Sequence, residues 1–304
     1  MFIRKIAIIN EQTGEMKAYD YVHKTFSVNN IYIVEVNKKY GIISENGKEL
    51  SKIDYDYIDM RCRNGIFEVK RDGKYGFIND SGKEVCDIKY ERVCDYTYGY
   101  AIVKLHQKYG FIDESGKEIC DICYDEVSDF DESGKAVVRK GDKYGLIDQS
   151  GNVVCNFIYD EIGTFSNGLY RVKKDGFYSY IDTNYNRICD FKYKEADYIF
   201  NRDVDITKVG DGKKIGFINK KGEEIIPLIY NSVRFVHLKG MPVIVEKDSK
   251  WGVIAQDGKV IARCKYDYID LFENGYSHGI YLKNGKVIEE WLDMEGNIYD
   301  KKPN

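Results

Sequence analysis

Residues 73–93 read GKYGFINDSGKEVCDIKYERV, and residues 107–127 read QKYGFIDESGKEICDICYDEV. Set one above the other, they agree in a Lys-Tyr-Gly-Phe-Ile run, an Asx-X-Ser-Gly turn, Lys-Glu, a Cys-Asp-Ile run and a tyrosine. A chain that writes one sentence twice is built of units, so its period must be read before its composition. The anchoring glycine recurs at Gly41, Gly76, Gly110, Gly145, Gly216 and Gly252, with Ser179 in the fifth place. The intervals are 35, 34, 35, 34, 37 and 36 residues.

Each position of the unit has a fixed chemistry. Seven residues before the anchor stand Val34, Val69, Val103, Val138, Val172, Val209 and Val245. Two residues after it stands an isoleucine every time, from Ile43 to Ile254, and fourteen after it a tyrosine, from Tyr55 to Tyr266. Three residues further comes a small or branched apolar residue: Ile58, Val93, Val127, Ile162, Ala196, Val233 and Ile269. Partial copies flank the seven units, IINEQTGEMKAYDYV from Ile8 and EEWLDMEGNI from Glu289.

The unit reads as three strands. GIFEVK, from Gly65, is branched and aromatic, and an Asp-Gly link of the kind that closes hairpins joins it to KYGFI. A second glycine turn leads to EVCDIKY, where Cys86, Ile88 and Tyr90 share one face by the period of two. No run shows a helical period, so the fold class is all-β: seven to eight antiparallel three-stranded hairpin units of ~35 residues in tandem. A glycine inside a strand weakens it unless a neighbour approaches closely, which gives the anchor a packing role. Units this small bury their apolar faces only by stacking, either as an open superhelix or as a closed seven- or eight-bladed propeller. A blade usually needs four strands and about 40 residues, which favours the open array. Residues 1–304 are one repeat domain on this reading, with a degenerate unit over about 1–30, full repeats over about 31–272 and a partial unit over about 273–304.

Lys-aromatic-Gly-aromatic-Ile, a short Asx/Ser-Gly turn, Lys-Glu and a Tyr-Asp pair together resemble the bacterial WG-repeat family over nearly the whole chain. The Trp that names the family stands only at Trp251-Gly252; Tyr40, Tyr75, Tyr109, Tyr144 and then Ile215 hold its place elsewhere. The Ile-Pro usual in the third strand stands only at Ile226-Pro227. The resemblance implies β-rich modules in arrays of variable number, without a catalytic constellation or a shared cofactor.

Composition narrows the rest. The chain is 43% hydrophobic and 32% charged, a folding composition. A net charge of −4 argues against a general nucleic-acid binder, which needs a basic surplus to displace counterions. No run approaches the roughly eighteen apolar residues of a membrane span, and Ile6 to Ile9 is too short for an export signal's core. The expectation is a cytoplasmic protein whose eight cysteines are free thiols.

Cys86, Cys120, Cys155 and Cys189 recur ten residues after the anchor, but Ile226 and Ala262 replace them later, so they read as small core residues rather than metal ligands. Cys120 and Cys123 form a lone CxxC on a strand, where residues three apart face opposite sides. The NDSG, DESG and DQSG turns are too short for calcium loops and suit Asx-turns. His23, His106, His237 and His278 share no spacing, and no nucleophile elbow or phosphate loop is present. No cofactor, metal or catalytic set is expected, and the chain is read as not an enzyme. A Lys two before the anchor (Lys39, Lys74, Lys108, Lys143, Lys214, Lys250) and an acid after the tyrosine (Asp56, Glu91, Asp125, Asp160) suggest a basic and an acidic row of solvated turns. The fifth unit breaks the rule: Phe177-Tyr178-Ser179 replaces Lys-aromatic-Gly, Tyr185 replaces the turn glycine, and the longer link DYIFNRDVDITK follows. Tyr178, Ser179, Tyr180 and Tyr185 are therefore the candidate partner-binding residues. The leading expectation is a non-catalytic scaffold that binds another protein. A small-molecule or glycan-binding module built on Tyr-rich surfaces is the alternative, and an enzyme of unknown class the third reading.

Overall fold

A computed structural model describes residues 6–25, 30–61, 64–197, 204–234 and 238–303; Cys62, His237 and residues 198–203 of the long link lie outside them. Among the described residues there is no helix, and the strands form nine antiparallel sheets, none closed on itself. The chain divides into two compact units, one ending at Phe157 and one beginning at Ile158.

Four of the repeat sheets hold the three strands that the period suggests, and four hold one strand more. In the second unit Glu195–Ala196, Ile206–Gly210, Ile215–Asn219 and Glu224–Tyr230 pair in that order. The first of these is only two residues long and comes from the stretch just past the repeated tyrosine. The chain therefore ends one sheet at the tyrosine and opens the next within two residues: Tyr90 bridges Tyr75, while Arg92–Val93 pairs with the following sheet. Where the fourth strand is irregular, two bridges stand in for it, as Tyr75↔Tyr90 and Ile78↔Glu84 do.

Register turns the sequence rows into rungs. Ile58, Val69 and Gly76 lie side by side across one sheet; so do Val93, Val103 and Gly110, and Val233, Val245 and Gly252. The repeated valines are buried, and full burial of each is worth about 1.5–3 kcal/mol. The glycine ends the rung because the fourth strand folds over it. The pairing of Ile215–Asn219 with Glu224–Tyr230 shifts register on either side of Phe217, next to Gly216. A side chain at Gly145 would put its Cβ 2.6 Å from the Cys155 carbonyl oxygen.

The second turn of a unit packs on the unit before it. Gly82 has φ +79°, and a Cβ there would stand 2.1 Å from the Leu50 carbonyl oxygen; Gly116 meets Val85 and Gly222 meets Ile188 in the same way. The sulfur position explains itself here, since Cβ of Cys86 lies 3.0 Å and that of Cys189 3.1 Å from where those glycines would carry theirs.

The C-terminal segment, recognisable in sequence only as a fragment, builds a whole sheet: Tyr268–Ile269, Tyr276–Lys283, Lys286–Asp293 and Ile298–Tyr299. Its rung is inverted. Gly279 takes the valine position and Glu290 the glycine position opposite. A Cβ on Gly279 would strike the Tyr266 ring at 2.6 Å, so the empty place has moved across the pair. Glu290 in turn accepts a hydrogen bond from Tyr266 Oη and pairs with Lys265 Nζ at 2.5 Å.

Candidate functional site

The four candidates of the fifth unit separate on burial. Ser179 and Tyr180 lie in the core, at 0% and 1% exposure, and present no surface to a partner. Ser179 Oγ donates to the Cys189 carbonyl oxygen at 2.6 Å, so the side chain that replaces glycine bonds the backbone it would otherwise strike. Tyr180 Oη donates to the Asp197 carbonyl oxygen at 2.6 Å. Tyr178 is half-buried, bridges Tyr193, and lies under the Arg171 guanidinium at 4.6 Å and Lys173 Nζ at 4.9 Å. Tyr185 is half-buried in the turn, with φ +65°, a conformation that costs a bulky residue energy. Tyr178 and Tyr185 thus keep some surface.

The lysine and acid rows bind each other. Lys39 pairs with Asp56, Lys108 with Asp125 and Lys250 with Asp267, while Lys214 Nζ donates to Asn231 Oδ1 at 3.1 Å. The second carboxylate oxygen accepts from the next hairpin turn: Asp56 from Asp72 N at 2.8 Å, Asp125 from Gly141 N at 2.8 Å, Asp267 from Leu282 N at 3.0 Å. The hydrogen bond from Lys108 and then that from Gly141 N hold Asp125 below the usual carboxylate range. Each of these three acids couples one unit's lysine to the next unit's turn. The Asx turns close on themselves as well, Asn79 Oδ1 accepting from Ser81 N at 3.1 Å and Lys83 N at 2.9 Å.

Burial pushes the thiols of Cys86, Cys120 and Cys155 up to about 11, away from the thiolate form that attacks or ligates. Among the described residues no three His, Cys, Asp or Glu side chains gather as a metal-ligand group.

A concavity lies elsewhere, in the C-terminal unit: a cleft of about 670 Å³ built between Ser232–Arg234, Tyr268–Ile269 and the last long hairpin. Trp291 forms part of its wall, stacked on His278 with centroids 4.9 Å apart, and Lys302 Nζ lies 5.3 Å from the Trp291 ring centre. Tyr268 Oη donates to Asp270 Oδ1 at 2.7 Å, and His278 stands between Asp270 at 3.9 Å and Glu289 at 3.4 Å. Tyr268 and Leu271 form the rim, 46% and 50% exposed. Arg234 reaches in from the outer strand, its guanidinium 4.2 Å from the Trp251 ring centre and 5.7 Å from that of Tyr268, with Nη1 donating to the Ile269 carbonyl oxygen at 2.8 Å.

None of these residues stands out in a repeat alignment, because the site is made of what the repeats do not share. One signal was available: the chain's two tryptophans, Trp251 and Trp291, both fall in the last two sheets.

The family model for the WG containing repeat matches residues 40–75, 75–109, 109–144, 144–176, 215–251 and 251–286, more than half of the chain, which belongs to that family. The unmatched interval between residues 176 and 215 holds Ser179. No curated protein sequence matches the chain. Among solved structures, a eukaryotic initiation factor shares 11% identity over 97% of this chain and 95% of its own, with a TM-score of 0.35. Hsv2 of Kluyvelomyces marxianus shares 10% over 87% and 95%, at 0.33. Apo AztD of Citrobacter koseri shares 12% over 84% and 90%, at 0.34.

Proposed function

We propose that this chain is a non-catalytic binding module that holds another protein, and that the C-terminal cleft is where it does so. The observation that carries the reading is the residue set of that cleft. It joins Trp291, Tyr268, Tyr276 and Arg234, the residue types that dominate interface energetics, and it leaves Tyr268 and Leu271 half-exposed at the rim. The buried, neutral thiols fit a reducing compartment such as the cytoplasm.

The test is a pull-down from extract of the source cell with the intact chain, beside a Tyr268→Ser/Leu271→Ser double variant that keeps the wild-type melting temperature. Partners should be recovered by the wild type and lost with the variant. Recovery of the same proteins by both counts against the cleft. A small-molecule or glycan-binding module is the second reading, since about 670 Å³ lies within the roughly 300–1,000 Å³ of small-ligand sites. No captured protein, together with one sugar or small molecule raising the melting temperature of the wild type alone, would establish it instead.

A further inference from the structure

Two arginines occupy equivalent places in this chain, and only one of them has a carboxylate. Arg171 lies over the aromatic at the family's Trp position, Tyr178, at 4.6 Å. Its Nη1 donates to the outer-strand carbonyl of the next sheet, Ala196 O, at 2.9 Å, and its Nη2 is paired with Glu161. Arg234 lies over the corresponding Trp251 at 4.2 Å and donates to the corresponding carbonyl, Ile269 O, at 2.8 Å. It arrives by another route, from the outer strand opposite Ile244, and Ile244 holds the register position that Arg171 holds in its own sheet. Glu161 has its counterpart in Ser232: the rung Glu161–Lys173–Tyr178 becomes Ser232–Glu246–Trp251. Among the described residues no carboxylate lies within ion-pair distance of Arg234, neither Glu246 on its own sheet nor Asp270 in the cleft. Asp270 is engaged by Tyr268 Oη and faces His278; Glu273 is the cleft's other acid, and Lys302 a second cation beside Trp291.

We propose that the cleft binds a carboxylate group of its ligand on Arg234, in the pose that Glu161 adopts on Arg171. The proposal rests on the cleft being a binding site and names the chemistry it takes. A guanidinium set 4.2 and 5.7 Å from two ring centres, with Nη1 committed to a backbone carbonyl, keeps its remaining N–H groups for a carboxylate. The body of the ligand then packs on Tyr268, Leu271 and Trp291. The carboxylate has two sources, an acidic residue of a protein partner or a free organic acid.

Because both tryptophans of the chain flank Arg234 or line the cleft, intrinsic fluorescence reports on occupancy. The intact protein is titrated with acetyl-Ala-Leu-Glu-Leu-Ala-amide, with its Gln counterpart, and with phenylacetate. The Glu peptide should saturate and the Gln peptide should bind at least about tenfold more weakly; Arg234→Gln should weaken the Glu peptide by about tenfold to a hundredfold. Arg234→Lys, which keeps the charge and loses the fork, should fall between the two. Ser232→Glu should supply the missing carboxylate from within, abolish binding of the Glu peptide and leave the melting temperature level or higher. Saturation by phenylacetate but not by the peptide keeps the carboxylate site and removes the protein-binding reading. Equal binding of the Glu and Gln peptides, unchanged affinity in Arg234→Gln or Ser232→Glu, or no saturation by either acid at millimolar concentration overturns the proposal. Equal Glu and Gln binding still leaves the cleft as a binding site.

Discussion

Ser179 shows how little room the anchor position leaves. At Gly145 a Cβ would meet the Cys155 carbonyl oxygen at 2.6 Å, and at Gly216 the Ile226 carbonyl oxygen at 2.5 Å. Among the seven full repeats the one side chain found in this row carries a hydroxyl, and the hydroxyl bonds the corresponding carbonyl, Cys189 O. Gly145→Ala should therefore destabilise the chain by about 1–3 kcal/mol through overpacking against backbone that cannot yield. Ser179→Ala should cost only about 1 kcal/mol, the net worth of one hydrogen bond, because the backbone there already accommodates a Cβ. Urea unfolding of the two variants decides it, and equal losses would mean that close approach is not why the row is glycine. The sequence points to Ser179 as an exception, but not to its direction. Exceptions to a repeat mark packing repairs as readily as binding sites, and only the buried bond to Cys189 separates the two.

At the level of elements, the hairpins were legible and the outer strands were not. Val69–Gly76 and its counterparts show themselves by alternation, Asp-Gly turns and strict spacing. Arg92–Val93 spans two residues, too short for any periodicity, and its single signal, the apolar residue three past the tyrosine, is a rung whose neighbours only register reveals. The last sheet was hidden for a different reason: with Gly279 and Glu290 exchanged across the pair, the anchor motif itself is gone. The cysteines pack into the sheets, Cys86 and Cys155 buried and Cys120 partly so, and this burial has a consequence for pH. Cys86, Cys120 and Cys155 ionise near 9.0 when unfolded and are held up to about 11 in the fold. The folded state thus binds protons that the unfolded state has released, and stability falls as pH rises. The contribution is whole below about pH 9 and is lost as the pH climbs through about 11. Urea midpoints should be level from about pH 7 to 8.5 and then decline, and a Cys86→Ala/Cys155→Ala variant should decline less steeply. A midpoint that rises across this range would contradict the assigned burial.

Across the whole molecule, charge is abundant and stability does not rest on it. The chain carries 46 basic and 50 acidic side chains, and the recurring pairs sit at the surface: Lys39 and Asp56 are 41% and 37% exposed, Lys250 and Asp267 40% and 42%. Pairs so exposed lose in solvent screening and side-chain ordering most of what attraction gives, and added salt removes the remainder. The rungs of valine, isoleucine and glycine are dry, and salt does not screen them. Raising sodium chloride from about 0.05 to 0.5 M should therefore move the melting temperature by no more than about 3 °C. The same change should weaken the Glu peptide several-fold, because the contact proposed at Arg234 is a charge pair formed from separate molecules. The two measurements pull the roles of charge apart. A fall of ten degrees or so in melting temperature would show that the Lys–Asp rows hold neighbouring units together and that the rungs are secondary. Salt-independent peptide binding would remove Arg234 as the recognition element while leaving the fold as described.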